Sequence, residues 1–148
     1  MSIDARHQVN ELIVDIFDKI LVLEETYHAM HGVELTMNEI HTLDAIHKSE
    51  SKQMSDVARS LDITQGTFTS VIKRLEKQDY VHRIQDKQDR RIYRLVLTEK
   101  SDIVIKVHQQ FHDEMIEGIL KQSENDEDLV RAIAELNKFF QNMLEENK

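Results

Sequence analysis

Residues 64–98, "TQGTFTSVIKRLEKQDYVHRIQDKQDRRIYRLVLT", contain two successive patterns that decide the fold. In the first half, apolar residues recur at intervals of three or four, which places them on one face of a helix. These residues are Phe68, Val71, Ile72 and Leu75. From Val81 the chain changes to two runs rich in β-branched and aromatic residues, separated by the polar turn "DKQD". The stretch therefore predicts a helix followed directly by a two-stranded hairpin.

A second short helix precedes this one. Four apolar residues, Met54, Val57, Ala58 and Leu61, share one of its faces. The pattern breaks at Asp62 and Ile63, and Thr64 is placed to cap the next helix. Further upstream, Thr36 and Glu39 have the spacing of a capping box at the start of another helix. A helix-turn-helix followed by a hairpin is a winged helix, and residues 36–98 are predicted to form one.

Long helices are predicted on both sides of this module. The chain has no proline and only three glycines, which favours uninterrupted helices. One apolar stripe runs through Val9, Ile13, Ile16, Ile20, Leu23 and Tyr27, and a heptad-like one through Leu129, Ile133, Leu136, Phe140 and Met143. Between them, Thr98 is placed to cap a helix that continues to about residue 120. The prediction is a mostly α protein with one hairpin, a single domain over 1–148 whose regions 1–35 and 99–148 form a homodimer.

The distribution of charge is uneven. Between Lys52 and Arg94 there are ten Lys or Arg against six Asp or Glu, although the whole chain has a net charge of -9. This favours a small anion-binding module on an acidic scaffold. The chain has no cysteine for a disulfide, no apolar signal segment at its start and no run of membrane-spanning length. We therefore expect a cytoplasmic protein without a membrane partner.

The outer face of the helix that begins at Thr64 is suited to double-stranded DNA. Its small hydroxyl and amide groups suit base edges in the major groove, and the cations that follow suit phosphates. The hairpin tip would lie beside this helix and reach the minor groove or flanking phosphates. At least one of Asp86 and Asp89 is expected to orient Arg91. The predicted DNA-binding residues are Ser55, Thr64, Gln65, Gly66, Thr67, Thr69, Ser70, Lys73, Arg74, Lys87, Arg90 and Arg91.

Two other interpretations remain open at this point. The helix face could be merely solvated, or the wing could bind an acidic protein instead of DNA, which sequence-selective binding to promoter DNA would distinguish. An enzyme is not expected, because the chain contains no Gly-rich phosphate loop, nucleophile elbow or His-Glu-x-x-His motif.

The stretch "DRRIYRLVLTEKS" resembles the wing signature of the MarR-type transcription regulators, which is Asp-x-Arg, then Leu-x-Leu-Thr, usually ending in glycine. The matching residues are Asp89, Arg91, Leu95, Leu97 and Thr98. The preceding "VIKRLEKQDYVHR" is also similar, and the six-helix layout covers the whole chain. The sequence departs from the family in having Ser101 and Asp79 where glycine is common. Aspartate tolerates a left-handed backbone better than most residues, so neither departure threatens the fold.

Within that family, the stretches "LVLEE", "EIHTLDAI", "ITQGTFTS" and "HQQFHDEMI" resemble the group that represses fatty-acid biosynthesis genes in Gram-positive bacteria. The resemblance implies a dimeric repressor whose affinity for its operator is raised by long-chain acyl-acyl carrier protein, with the acyl chain between the helices. The apolar stripes of the first, second and fifth helices could line such a tunnel, but stripes of this kind are more often simple core. A symmetric dimer further implies a pseudo-palindromic operator.

No cofactor is expected on this interpretation, but the histidines offer zinc as an alternative. His108 and His112 lie four residues apart, a spacing by which two imidazoles can share a metal. Zinc-sensing members of the family use such a pair with a glutamate of the first helix and a histidine of the second, and Glu24 and His41 occupy similar places. The competing interpretation is a set of hydrogen-bonded structural histidines.

Overall fold

The computed structural model describes residues 3–148, and the side chains from Asp4 onward. Its elements confirm the predicted winged-helix architecture of six helices and one hairpin within these residues. In chain order they are α1 (Ile3–Met30), α2 (Met37–Lys48), α3 (Met54–Ser60), α4 (Gln65–Lys77), β1 (Val81–Gln85), β2 (Tyr93–Leu97), α5 (Glu99–Gln122) and α6 (Asp126–Glu146). None of these helices is both long enough and apolar enough to cross a lipid bilayer.

The chain divides into two compact units. The first ends at Phe111 and the second is His112–Lys148, so the boundary falls within α5. The functional regions expected from the sequence, with limits at residues 35 and 99, stay predictions, because compactness does not report on function.

The hydrophobic core of the first unit lies among α2, α3, α4, the hairpin and the start of α5. The four residues predicted to face inward on α4 are all buried, at 0% to 5% exposure. The hairpin is antiparallel, with Val81 opposite Leu97 and Gln85 opposite Tyr93. The segment before α3 adds to it, since the Leu95 N–H donates to the Lys52 carbonyl at 2.8 Å. The winged helix is therefore one packed body that holds α4 beside the hairpin.

The second strand begins two residues later than the apolar run "RIYRLVL" suggests. The Asp86 N–H donates to the Ile92 carbonyl at 2.8 Å, and the Ile92 N–H donates to the Asp89 carbonyl at 3.0 Å. These bonds close a turn over residues 86–92, so Arg91 and Ile92 belong to the wing tip and not to the strand.

The predicted caps of α2 and α4 are present, and at the third predicted cap the Thr98 hydroxyl accepts from the Ser101 N–H at a longer 3.4 Å. The Thr36 hydroxyl accepts from the Glu39 N–H at 3.2 Å, and the Glu39 carboxylate accepts from the Thr36 N–H at 3.0 Å. The Thr64 hydroxyl accepts from the Thr67 N–H at 3.2 Å. Each cap satisfies backbone donors that have no partner within the helix, so the starts of α2 and α4 are set locally.

The two residues that depart from the family pattern both have structural roles. Asp79 has φ +63°, the left-handed conformation that glycine usually provides after a helix. Ser101 is fully buried, and its hydroxyl donates to the Tyr80 carbonyl. The serine therefore adds a hydrogen bond between the first turn of α5 and the α4–β1 connection.

We expect Asp79→Ala to destabilise the protein by about 1 kcal/mol, because alanine pays the full steric cost of a positive φ. Asp79→Gly should be neutral or stabilising, although both variants lose the same exposed contact with His82 at 3.2 Å. Urea unfolding at a fixed protomer concentration measures both changes. Equal losses in the two variants would mean that the aspartate side chain, and not the backbone conformation, is what matters.

Two helices carry stripes of apolar residues whose side chains are about half exposed. On α1, Val9, Ile16 and Leu23 are 51% to 56% exposed. On α6, Ile133, Leu136, Phe140 and Met143 are 42% to 53% exposed. Apolar residues repeated along one side of a helix are normally covered by another surface.

Candidate DNA-binding interface

The outer face of α4 starts with short polar side chains and ends with cations. Gln65, Gly66, Thr67 and Ser70 are exposed, and Thr69 is partly buried. Two hydroxyls donate to carbonyls of their own helix, Thr69 to Gln65 at 2.7 Å and Ser70 to Gly66 at 3.1 Å. With these bonds made, the hydroxyl oxygens of Thr69 and Ser70 still keep lone pairs that can accept a hydrogen bond.

Asp86 organises the wing turn. Its carboxylate accepts from the backbone N–H groups of Gln88 at 2.8 Å and Asp89 at 2.9 Å, and it forms an ion pair with Arg94. The hydrogen bond from the Asp89 N–H and the one from Arg94 lower the pKa of Asp86 from 3.8 to about 2. Because folding lowers this pKa, the ionised Asp86 carboxylate stabilises the folded state at pH values above 3.8. That contribution is lost as the pH falls towards about 2. Asp86 is thus ionised throughout the neutral range, and the turn keeps its shape there.

Asp89 holds Arg91 in a bidentate pair. One carboxylate oxygen accepts from Arg91 Nε at 3.0 Å and the other from Nη2 at 2.9 Å. The Arg91 backbone N–H also donates to Asp89, at 3.0 Å. The Arg91 side chain lowers the pKa of Asp89, and Asp89 raises the pKa of Arg91. The guanidinium is 90% exposed yet fixed in orientation, as expected from the sequence.

Arg83 links the base of the wing to α4, and sequence reasoning missed it. Its Nε lies 3.0 Å from the Glu76 carboxylate, and its backbone N–H donates to the same carboxylate at 3.3 Å. Its guanidinium lies 6.0 Å from the centre of the Tyr93 ring. The spacing of Glu76 and Arg83 is seven residues across two different elements. No local pattern could reveal this pair, because it depends on the angle between helix and hairpin.

A cleft of about 320 Å³ lies where α3, α4 and the wing meet. It brings together four of the predicted residues, Ser55, Gln65, Thr69 and Arg91. Arg83 and Tyr93 complete its wall. Two guanidinium groups beside polar side chains make this the part of the surface best suited to an anionic backbone.

The other predicted cations lie outside the cleft. Arg74 is turned towards the buried Glu39 of α2, with 3.5 Å between Nε and the carboxylate. Lys73, Lys87 and Arg90 are exposed, and none of them has an ion-pair partner among the residues that the structure describes. The uncompensated positive charge of the interface therefore comes from these three residues.

The structure brings three of the four zinc candidates together. The ligand atoms of Glu24, His41 and His108 lie within 4.8 Å of one another. His41 Nε2 is 2.9 Å and His108 Nδ1 is 3.5 Å from Glu24 Oε1, and both Glu24 and His108 are buried. The fourth candidate, His112, belongs to the second compact unit.

A fourth side chain that the sequence did not indicate joins this cluster. His28 is buried, and its Nδ1 lies 2.6 Å from the Glu24 backbone oxygen. A carbonyl oxygen only accepts, so this nitrogen carries the proton. His28 Nε2 is 3.3 Å from His108 Nδ1. These contacts also fit hydrogen-bonded structural histidines, so the geometry accommodates both interpretations.

Comparison with known proteins places the chain in a family. The MarR family model matches residues 35–93. The chain is 30% identical to FabT of Streptococcus pneumoniae, solved in complex with DNA, with a TM-score of 0.85 over 93% of this chain and 99% of that one. The chain belongs to the MarR family.

Other relatives of this MarR-family protein carry regulator names. SarZ of Staphylococcus haemolyticus is 25% identical over 90% of this chain and 91% of its own. AdcR of Streptococcus pyogenes is 29% identical over 69% of this chain and 73% of its own. Both are named transcriptional regulators. The protein is a DNA-binding transcriptional regulator and not an enzyme, which confirms those two predictions.

Gly66 offers a test of where DNA lies on this MarR-family fold. A Cβ at Gly66 would meet nothing within 4 Å, so packing does not require glycine there. Gly66→Ala should stabilise the free protein by about 0.5–1 kcal/mol, because alanine favours the helix. The same methyl group should weaken operator binding, because it stands on the surface presented to bases.

Thermal unfolding and fluorescence anisotropy measure these two opposite effects. Gly118→Ala is the matched control, since a Cβ at Gly118 of α5 also meets nothing within 4 Å. It should stabilise without changing operator affinity. Unchanged affinity in Gly66→Ala would mean that DNA does not approach the start of α4.

Proposed function

We propose that the protein represses fatty-acid biosynthesis genes by binding a pseudo-palindromic operator as a homodimer. Long-chain acyl-acyl carrier protein acts as the co-repressor that raises its operator affinity. The observation that carries the proposal is the 30% identity to DNA-bound FabT over nearly all of both chains. The four sequence stretches that resemble the fatty-acid group support the same assignment.

The homodimer is supported by the open apolar stripes of α1 and α6. Val9, Ile16 and Leu23 on one helix, and Phe140 and Met143 on the other, are each more than two-fifths exposed. A second copy of the chain would cover such surfaces and contribute a second α4 and wing. Two symmetric modules then bind half-sites about one helical turn apart. The operator is chromosomal DNA, so the protein acts in the cytoplasm.

Operator binding by fluorescence anisotropy tests this function. The probes are duplexes from the protein's own upstream region and from a fatty-acid-gene promoter, with a scrambled duplex as competitor. We expect sequence-selective binding that long-chain acyl-acyl carrier protein tightens and the unacylated carrier does not. Sequence-selective binding that does not tighten with the acyl carrier would support a DNA-binding regulator. It would contradict long-chain acyl-acyl carrier protein as the effector. Loss of selectivity would favour an acidic protein as the partner of the wing.

Zinc-responsive repression is the second candidate function. The observation that favours it is the mutual proximity of Glu24, His41 and His108, whose nitrogen and oxygen donors suit zinc. On this candidate, zinc holds α1, α2 and α5 together within the first unit through Glu24, His41 and His108.

A chelator competition measures zinc binding directly, alongside operator affinity. His41→Gln should weaken both zinc binding and the zinc effect on DNA. His47→Gln, an exposed position on the same helix, is the matched control and should leave both unchanged. Operator affinity that is the same with zinc and with a chelator would remove this candidate.

A further inference from the structure

Lys52 has a backbone conformation that lysine rarely adopts. It lies in the short linker between α2 and α3, is partly buried, and has a φ of +58°. A residue with a Cβ adopts this left-handed region only where its surroundings hold it there. Two sets of contacts surround Lys52, one made by its side chain and the other by its backbone.

The Lys52 side chain turns back onto the end of α2. Its Nζ donates to the Ile46 carbonyl at 2.6 Å and to the His47 carbonyl at 2.7 Å. Both oxygens belong to the last turn of α2, where carbonyls lack the usual N–H donor four residues later and the helix dipole favours a cation. The ammonium group of Lys52 is therefore bound within the protein itself.

The Lys52 backbone joins the linker to the second strand of the hairpin. Its carbonyl accepts from the Leu95 N–H at 2.8 Å, and the next residue, Gln53, pairs with Arg94 as an isolated antiparallel bridge. Arg94 also forms the ion pair with Asp86, the residue that organises the wing turn. Lys52 thus contacts α2 through its side chain and the wing strand through its carbonyl.

The linker's serines make local bonds of another kind. The Ser49 hydroxyl accepts from the Lys52 N–H, and the Ser51 hydroxyl accepts from the Gln53 N–H, both at 3.2 Å. These bonds shape the linker, but neither reaches the hairpin. The connection between the end of α2 and the hairpin therefore runs through Lys52 within this linker.

We propose that Lys52 is a positioning residue for DNA binding, which fixes the wing against α2 without contacting DNA. The two bonds from Nζ hold the backbone in its left-handed conformation, and that conformation directs the carbonyl towards Leu95. Strand β2 then carries the constraint to Arg94 and Asp86 at the wing turn. Loss of the Nζ bonds releases the backbone and loosens the base of the wing, so the wing no longer meets DNA in one orientation.

Lys52→Met tests this role, because methionine keeps the unbranched stem and removes the three donors of the ammonium group. The DNA probe is a duplex that the wild-type protein selects from a random library. The variant should bind it about three- to tenfold more weakly, the usual range for a lost hydrogen bond that positions other groups. The slope of log affinity against log salt should stay at the wild-type value, because Lys52 pairs with no phosphate.

Amide hydrogen exchange reports on the position of the wing directly. In Lys52→Met, the Leu95 amide should exchange faster by a larger factor than the Leu75 amide, which lies in the buried face of α4 and reports opening of the whole core. Equal factors at the two amides would mean that Lys52 contributes only to global stability, and would overturn the proposal.

Lys106→Met is the matched control, because it removes the same charge from an exposed position on α5. It should change neither the affinity for the duplex nor the exchange of the Leu95 amide. Three affinity results would overturn the proposal: unchanged binding by Lys52→Met, an equal loss in Lys106→Met, or a salt slope reduced by about 0.9 in Lys52→Met, which is the effect of a lost phosphate contact.

Discussion

Asp89→Asn should weaken operator binding by about tenfold, although it makes the wing more positive by one charge. Simple electrostatics predicts the opposite, since removing an acid near DNA reduces repulsion of phosphate. The loss is expected because Asp89 holds Arg91 through two side-chain hydrogen bonds of 3.0 and 2.9 Å. Asparagine can keep only one acceptor in that arrangement, so the guanidinium loses its fixed orientation before it meets DNA.

Arg91→Ala separates orientation from charge. It should cost about 10- to 100-fold in affinity, the usual range for a hydrogen bond to a charged group. It should also reduce the slope of log affinity against log salt by about 0.9, because one cation no longer releases a counterion. Asp89→Asn keeps every cation, so its salt slope should stay at the wild-type value. Anisotropy titrations at several salt concentrations measure both quantities.

Asp113→Asn is the charge-matched control, an exposed acid on α5 in the second compact unit. It should leave operator affinity close to wild type. Tighter binding by Asp89→Asn would show that the pair acts only as a charge, and that its bidentate geometry does not matter.

Phe68→Ala should destabilise the protein by about 3–5 kcal/mol, the usual cost of emptying a buried phenylalanine site. The ring is 0% exposed and lies on the inner face of α4, within the core formed with α2, α3 and the hairpin. Its loss leaves a cavity directly beneath the DNA-binding face. We therefore expect operator binding to fall together with stability.

Urea unfolding measures this change, at one fixed protomer concentration so that the contribution of the proposed dimer stays constant. Ile72→Val, at a neighbouring position that is also 0% exposed, is the matched control and should cost about 0.5–1.5 kcal/mol. A loss of less than about 3 kcal/mol for Phe68→Ala would mean that the core beneath α4 collapses easily to fill the space.

Much of the DNA-binding surface could be predicted because its signals are local. The exposed side of α4 can be predicted from the apolar residues on its other side. The ion pair between Asp89 and Arg91 joins residues only two positions apart. Arg94 was not predicted, because its ion pair with Asp86 crosses the hairpin. Arg74 was predicted to bind phosphates of the DNA backbone, and only the structure shows that Glu39, 35 residues earlier, lies next to it.

The same distinction applies to the buried cluster. Sequence reasoning proposed Glu24, His41 and His108 by resemblance, whereas their proximity is a result of how α1, α2 and α5 pack in the first unit. His28 could not be predicted, because its partner His108 is 80 residues away and one histidine on a helix looks like any other.

Local patterns in the sequence predicted which segments become helices and strands, which side of α4 faces inward and where α2 and α4 start. These properties depend on residues within a few positions of one another, through side-chain spacing, capping and turn hydrogen bonds. The tertiary structure alone decided which distant charges pair, as in Glu76 with Arg83 and Asp86 with Arg94, and which residues line the cleft. Such pairs follow from the angles at which elements pack, and those angles are set by the fit of the whole core and by no single local pattern.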